Sequence, residues 1–145
     1  MIGETPFESD VTGHVSDVQA RVYVADTDFS GIVYHARYLE FFERGRSEFL
    51  RDIGFNNNMF SEDSQAEKLF FVVRHMEVHF LKPAQIDNLL TIKTRINCVK
   101  GARFLMDQYI LHDNKMLVTA KVQIALINEE GRPRRLPKNF SKVLA

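Results

Sequence analysis

The stretch VADTDFSGIVYHARYLEFFERGR, residues Val24 to Arg46, joins an acidic loop that contains a glycine to a segment with helical periodicity. Glu40 and Arg44 are spaced for a solvent-exposed ion pair on this segment. The pattern predicts one long, mostly buried helix that ends at Gly54. A projection at about 100° per residue gathers its apolar side chains on one arc: Tyr38, Leu39, Phe41, Phe42, Phe49, Leu50 and Ile53.

After a polar connection, the hydrophobic pattern changes its period from about 3.6 residues to 2 and predicts four strands. A further strand, Val18 to Val24, precedes the helix, and Asp113-Asn114 has the composition of a two-residue hairpin turn. Three strands have a clear apolar face: Phe70, Val72, Met76, Val78 and Phe80; Leu90, Ile92, Ile96 and Cys98; Val118, Ala120, Val122, Ile124 and Leu126.

The order of these elements predicts an α+β fold. One helix fills the concave face of a five-stranded antiparallel sheet, since each needs to bury its apolar side against the other. An uncovered edge of such a sheet is a pairing surface, so two copies are expected to join edge to edge.

Length and composition indicate a single domain. The chain has 145 residues and is 45% hydrophobic, which suits one compact core, and we expect residues 1–17 to form a polar tail and residues 18–145 the domain. The 19 basic and 19 acidic residues cancel, which argues against a nucleic-acid partner.

Neither a signal peptide nor a transmembrane segment is predicted, and a cytoplasmic location is the default. The single cysteine, Cys98, is expected to be a buried core thiol.

The acidic loop and the helix start together suit acyl transfer. The first N–H groups of a helix have no internal partner and favour negative charge. Gly31 allows either a close backbone approach or a positive φ. Asp26 or Asp28 supplies a carboxylate that attacks a carbonyl or activates water. On spacing alone, Asp28 is more typical of a turn residue, and His35 is more typical of a packing or capping residue than of a catalyst.

Two other features are predicted to be structural. Arg46 falls inside the apolar arc of the helix, where a guanidinium needs a partner, and Glu43 is the nearest candidate for an ion pair. His75 and His79 lie on a predicted strand, so their Cα atoms are about 13 Å apart and cannot share one metal ion. We expect no metal site.

The segment DTDFSGIVYHARYLEFFERGRSE, Asp26 to Glu48, resembles the signature of the hotdog-fold acyl-CoA thioesterases of the 4-hydroxybenzoyl-CoA thioesterase family. Within that family, D-T-D-x-x-G-x-V-Y-H-A-x-Y followed by E-x-x-R is similar to the YbgC-like branch, the Tol–Pal-associated thioesterases. The resemblance extends from about Val18 to the basic C-terminal segment. It implies a central helix wrapped by the sheet, homodimers or homotetramers, a site at the subunit interface and no bound cofactor.

The resemblance also assigns roles to residues. Asp28 is similar to the catalytic carboxylate of the family, acting as nucleophile or general base. The backbone N–H of His35 is similar to the group that polarises the thioester carbonyl, and its side chain matches the histidine of this branch. Tyr34 resembles a pocket-wall residue.

Two positions depart from the family pattern. Phe29 stands where a small residue is common, and it is expected to narrow the acyl pocket. Gly45 replaces a more usual alanine, which costs the helix about 0.5–1 kcal/mol unless close packing requires the glycine.

The phosphates of CoA bind to cations. Their positions at a turn between two strands and near the C-terminus suggest five candidates: Lys100, Arg103, Arg132, Arg134 and Arg135. The resulting hypothesis is an acyl-CoA thioesterase. One alternative is a hotdog enzyme that hydrolyses or dehydrates thioesters of an acyl carrier protein. Another is a non-catalytic module that binds an acyl carrier protein or envelope-associated partners.

Overall fold

The computed structural model describes residues 13–55, 67–137 and 140. Five strands form one antiparallel sheet in the order β1-β3-β4-β5-β2, which confirms the predicted α+β architecture. None of the helices in the described ranges is long and apolar enough to cross a membrane. The elements are β1 Val15–Arg21, a short 3₁₀ helix Val24–Asp26, α1 Arg37–Asp52, β2 Leu69–Phe80, β3 Leu89–Lys100, β4 Arg103–His112 and β5 Lys115–Asn128.

Strand β1 begins and ends three residues earlier than predicted. Residues 24–26 form the 3₁₀ helix instead of extending the strand. Most of the predicted tail, residues 1–12, lies outside the described residues, so the division into a tail and a domain stays a prediction.

Helix α1 packs its apolar face on β1 and β3. Its buried residues are Tyr38, Phe41, Phe42, Gly45, Phe49 and Leu50. Leu39 was wrongly assigned to this face: it lies at the edge of the arc and is 42% exposed. Glu40 pairs with Arg37 at 2.6 Å, so the predicted pairing with Arg44 is also wrong. Gly54 adopts φ +96°, as the predicted helix cap requires.

Two β-bulges change which side chains reach the core. In β2 the register shifts between Val73 and His75, so Phe71, and not the predicted Phe70, packs against Phe104 and Phe140. Beyond the bulge the predicted face does pack against the core, although Phe80, the last residue of the strand, is largely exposed. An extra residue in one strand inverts the alternation beyond it, and a period of 2 in the sequence does not reveal it.

The bulge in β3 corrects the assignment of Cys98. The register shifts between Ile96 and Cys98, which brings Val99 against the core and leaves the thiol half-buried. The hairpin turn at Asp113-Asn114 is confirmed, with φ of 50° and 63°. The predicted inner face of β5 is buried at all five positions.

Arg46 pairs with a different residue from the one predicted. Its Nη1 donates a hydrogen bond to Gln108 Oε1 at 3.0 Å, whereas Glu43 is exposed and forms no ion pair with it within the described residues. Removal from water lowers the pKa of Arg46, and the negative charge of Glu43 partly offsets this. The amide of Gln108 also donates to the backbone O of Phe42 and to Thr94 Oγ1, each at 2.9 Å.

Candidate active site

The acidic loop folds as a small hairpin that rests on the segment after β2. The N–H of Asp28 donates to Ile32 O at 2.9 Å, and Thr27 and Val33 form a backbone bridge. The N–H of Val33 in turn donates to Ala84 O at 2.9 Å. The hairpin therefore occupies a defined position between the end of β2 and the start of α1.

Asp26 holds this loop in place. Its Oδ2 accepts the N–H of Tyr23 at 2.8 Å, and its Oδ1 lies 3.5 Å from Nε of Arg37. Its backbone O accepts the N–H of Tyr34 at 3.0 Å. With both carboxylate oxygens and the carbonyl engaged, Asp26 ties the start of the loop to the first turn of α1.

Asp28 retains one carboxylate oxygen without a partner in the described part of the chain. Its Oδ1 accepts the Ser30 hydroxyl at 2.6 Å and the Ser30 N–H at 2.8 Å, whereas the Ile32 N–H interacts only weakly with the carboxyl group and no described residue donates to Oδ2 at a comparable distance. The hydrogen bond from the Ser30 hydroxyl, followed by that from its N–H, lowers the pKa of Asp28. The group is therefore a carboxylate at neutral pH, with one oxygen available for chemistry.

Gly31 is required for its backbone conformation. It adopts φ +83°, and its N–H donates to Asp28 O at 3.1 Å to close the turn. Among the described residues, no atom outside its chain neighbours lies within 4 Å of the position of an added β-carbon, so the positive φ, and not protein packing, disfavours a side chain here. Phe29, at the tip of this turn, is 104% exposed and does not line the pocket that contains Ile32 and His35.

The start of α1 presents two consecutive free N–H groups. The N–H of Arg37 donates to Tyr34 O at 2.8 Å, and that of Tyr38 is 3.4 Å from His35 O. The N–H groups of His35 and Ala36 donate to no acceptor among the residues that the structure describes. Together with the helix dipole, such a pair forms a site for an oxyanion.

The His35 side chain lies beside an apolar pocket of about 330 Å³. Its ring centroid is 4.5 Å from that of Tyr34 and 6.3 Å from that of Phe80. Tyr34 contacts the imidazole but does not line the pocket, and Asp28 does not line it either. The pocket is lined by Ile32, Val33, His35, Tyr38, Phe80, Leu81, Lys82 and Pro83.

Of the eight lining residues, the sequence predicted only His35 as a site residue, and the run from Phe80 to Pro83 was not assigned to the site. The one signal was the Lys-Pro pair at the end of a predicted strand, which marks a change of chain direction. Tyr38 was predicted to be a core residue, and it is both buried and part of the pocket wall.

The five cations proposed to bind CoA lie at the other end of the sheet. Strand β3 runs from Leu89, next to the acidic loop, to Lys100, a distance of about 36 Å for its 12 residues. Lys100 and Arg103 face each other across the β3–β4 turn. The backbone O of Leu126, near the end of β5, accepts the N–H of Arg134. Within one protomer, these cations are therefore remote from Asp28 and His35.

One of these cations already has an acidic partner within the protomer. Arg134 forms an ion pair with Glu67, whose pKa is lowered mainly by this hydrogen bond. Lys100 and Arg103 line a groove of about 270 Å³ together with Cys98, Leu105 and Gln123, among others.

The sequence profile of the thioesterase-like superfamily matches residues 22–144 of this chain. The chain belongs to the thioesterase-like superfamily. It is similar to the acyl-CoA thioesterase YbgC of Haemophilus influenzae, with 40% identity over 119 residues that cover 81% of this chain and 85% of that protein.

Two solved structures place this superfamily member among hotdog proteins. A probable thioesterase from Bartonella henselae is 76% identical, with a TM-score of 0.81 over 86% of this chain and all of that one (100%). Slr0204, a 1,4-dihydroxy-2-naphthoyl-CoA thioesterase from Synechocystis, is 21% identical, with a TM-score of 0.80 over 90% of this chain and 96% of that one. The second likeness concerns the fold alone. The predicted family and hotdog fold are thus confirmed.

Proposed function

We propose that this protein hydrolyses an acyl-CoA thioester to a free acid and CoA. In this proposal, Asp28 is the nucleophile or general base, and the N–H of His35 polarises the thioester carbonyl. The observation that carries the proposal is the pair of N–H groups at His35 and Ala36, which donate to no acceptor in the described ranges. They lie beside an apolar pocket and on the same loop as an ionised carboxylate.

The general-base route uses the free oxygen of Asp28. The carboxylate takes a proton from water as the water oxygen bonds to the thioester carbon, and the carbonyl oxygen becomes an oxyanion that the two N–H groups stabilise. When the C–S bond breaks, the CoA sulfur leaves as a thiolate and receives the proton from Asp28. The products are a carboxylic acid and CoA.

In the nucleophilic route, the Asp28 oxygen itself attacks the carbonyl carbon. The C–S bond breaks to release the CoA thiolate, and an acyl anhydride forms on Asp28. Water then hydrolyses this anhydride to the free acid and the Asp28 carboxylate, and the CoA thiolate takes up the proton that is released. Both routes need the same oxyanion site, and labelled water distinguishes them, because the nucleophilic route can place its oxygen in Asp28.

Membership of the thioesterase-like superfamily and the 40% identity to a YbgC acyl-CoA thioesterase support this activity and the choice of an acyl-CoA substrate. An acyl carrier protein as a substrate carrier, and a cytoplasmic location, stay predictions from the sequence.

We further propose a homodimer that pairs β2 with its symmetry mate. Strand β2 is a sheet edge of 12 residues, none of them buried, whereas the other edge, β1, has only 7. The exposed side chains of β2 include Phe70, Val73 and Phe80. A long apolar edge is a surface for pairing with a second copy. Tetramers are compatible with this arrangement.

This dimer would also bring the remote cations to the site. Antiparallel pairing of two β2 strands places the first half of one strand beside the second half of the other. The cationic end of one protomer then lies near the acidic loop of its partner. A CoA molecule spanning the two protomers would have its thioester at His35 and its phosphates near the partner's cationic end.

A panel of acyl-CoA and acyl-carrier thioesters, assayed for thiol release, tests the proposed activity. We expect release from acyl-CoA substrates and its loss in Asp28→Asn. Binding of every thioester without thiol release would instead support a non-catalytic module.

A further inference from the structure

Arg37, the first residue of α1, contacts both halves of the candidate site. Its backbone N–H donates to Tyr34 O at 2.8 Å and closes the turn that carries the N–H groups of His35 and Ala36. Its side chain reaches back 12 residues along the chain, where Nη2 donates to Ala25 O at 3.0 Å. One residue therefore joins the oxyanion site at the helix start to the loop that carries the candidate carboxylate.

The guanidinium of Arg37 has two further acceptors. Its Nε lies 3.5 Å from Asp26 Oδ1, and its Nη1 donates to Glu40 Oε2 at 2.6 Å. Glu40 lies one turn further along α1, so this ion pair orients the guanidinium from the side of the helix. Among the described residues, no other side chain of α1 forms a hydrogen bond or ion pair with residues 23–33. Position 37 is also a variable position of the family motif, so the resemblance assigns it no role.

These contacts are too exposed to add much stability. The side chains of Arg37 and Glu40 are 37% and 60% exposed, and exposed ion pairs contribute little to the free energy of unfolding. Arg37 also does not act on the pKa of Asp28, which is lowered by hydrogen bonds, mainly from Ser30. Its contacts instead fix where the loop lies relative to the helix start. Catalysis is sensitive to such placement, because a displacement of about 1 Å can cost roughly 10²-fold in rate.

We propose that Arg37 is a positioning residue that holds the acidic loop against the start of α1, a role that rests on the proposed function of this site. The guanidinium fixes the approach of the Asp28 side to a carbonyl carbon whose oxygen lies at the two N–H groups of the helix start. Because Arg37 itself touches neither the substrate nor the reacting atoms, its loss should lower kcat and leave KM nearly unchanged.

Steady-state thiol release by Arg37→Met, with the best acyl-CoA substrate of the panel, tests this role. We expect kcat to fall at least about tenfold, with KM and Tm nearly unchanged. Arg37→Lys should recover part of kcat, because one ammonium group cannot reach all three acceptors of the guanidinium. Arg44→Met is the matched control, since Arg44 is exposed on the same helix and has no ion pair within the described residues, and it should keep kcat.

Two variants separate the contacts of Arg37. Glu40→Gln removes the ion pair on the helix side, and Asp26→Asn removes the charge on the loop side, but both keep the hydrogen bond to Ala25 O. Each should therefore lower kcat much less than Arg37→Met. Unchanged kcat in Arg37→Met, or an equal loss in Glu40→Gln or Arg44→Met, would overturn the proposal.

The pH–activity profile separates positioning from a direct effect of charge. In Arg37→Met the acid limb of kcat/KM should stay in place, because the pKa of Asp28 depends on its hydrogen bonds within the loop. A shift of this limb to higher pH would mean that the Arg37 charge stabilises the Asp28 carboxylate, and it would replace the positioning role by an electrostatic one.

Amide hydrogen exchange tests the position of the loop without turnover. The N–H groups of Asp28 and Tyr34 donate to Ile32 O and Asp26 O, and both should exchange faster in Arg37→Met than in the unmodified protein. If the unmodified protein releases no thiol but exchange rises in this way, hydrolysis is wrong and Arg37 still holds the loop. Unchanged exchange at both groups would overturn the role of Arg37 whatever the turnover.

Discussion

Gly45 in α1 lies so close to Gln108 in β4 that a β-carbon on residue 45 would stand 2.9 Å from Gln108 Nε2. The same atom would be 2.7 Å from Ile92 Cγ2 and 2.8 Å from Thr94 Oγ1. The glycine thus lets the helix backbone approach the sheet. This contact allows the Gln108 amide to reach Phe42 O, and it explains why this chain departs from alanine at position 45.

Gly45→Ala is therefore expected to destabilise the protein. Alanine favours a helix over glycine by about 0.5–1 kcal/mol, but overpacking against three side chains costs about 1–3 kcal/mol. Chemical denaturation should show a lower free energy of unfolding. A higher free energy of unfolding, as expected at an open helix position, would contradict the contact.

Gln108, and not Glu43, should stabilise Arg46. Gln108→Leu leaves the guanidinium and the Thr94 hydroxyl without their partner, which costs about 1–3 kcal/mol or more. Glu43→Ala at an exposed position should stay within about 0.5 kcal/mol. Measurement of the free energy of unfolding for both variants distinguishes the two partners. A large decrease in Glu43→Ala would support the ion pair that was predicted from the sequence.

Asp28→Asn should lower turnover by at least about 10²-fold, because it keeps the shape of the side chain but removes the reacting charge. Acyl-CoA binding and Tm should change little. Asp26→Asn is the matched control from the same loop, and it should reduce Tm or affinity more than the chemical step, since Asp26 bonds to Tyr23 and Arg37. His35→Ala keeps the backbone N–H and should cost less than Asp28→Asn. Near-normal turnover in Asp28→Asn would exclude its proposed role.

Removal of the Ser30 hydroxyl should shift the acid limb of the pH–activity profile. Activity requires the Asp28 carboxylate and is lost as pH falls through its pKa, which hydrogen bonds from Ser30 hold below the ordinary value of 3.8. Ser30→Ala removes the hydroxyl that contributes most, so the pKa rises and the acid limb of kcat/KM moves to higher pH. Rapid assays between about pH 2 and 5 should detect this. An unchanged limb would mean that another group controls it.

The β2 edge should control assembly. Light scattering is expected to give a dimer or tetramer, and Val73→Lys should shift the protein towards monomers, because the exposed valine lies on the proposed pairing edge. Activity should fall with the loss of the partner. Gln19→Lys, at an exposed position on the opposite edge β1, is the control and should leave assembly unchanged. A monomeric unmodified protein at micromolar concentration would refute the shared site.

The sequence by itself determined the types and order of the main elements of this protein. The helical arc around Phe42, the turn at Asp113-Asn114 and the positive φ of Gly54 all follow from local periodicity and backbone sterics, which depend on near neighbours in the chain.

Only the tertiary structure decided which distant groups meet. Arg46 and Gln108 are 62 residues apart, and Tyr38 and Ala84 are 46 apart, so no local pattern predicts their contacts. The bulges in β2 and β3 depend on pairing between strands. The bulge in β2 is the reason that Phe71, and not Phe70, packs against the core. The sheet also separated Lys100 from Asp28. Local forces select the type of each element, whereas packing of the whole chain selects its partners.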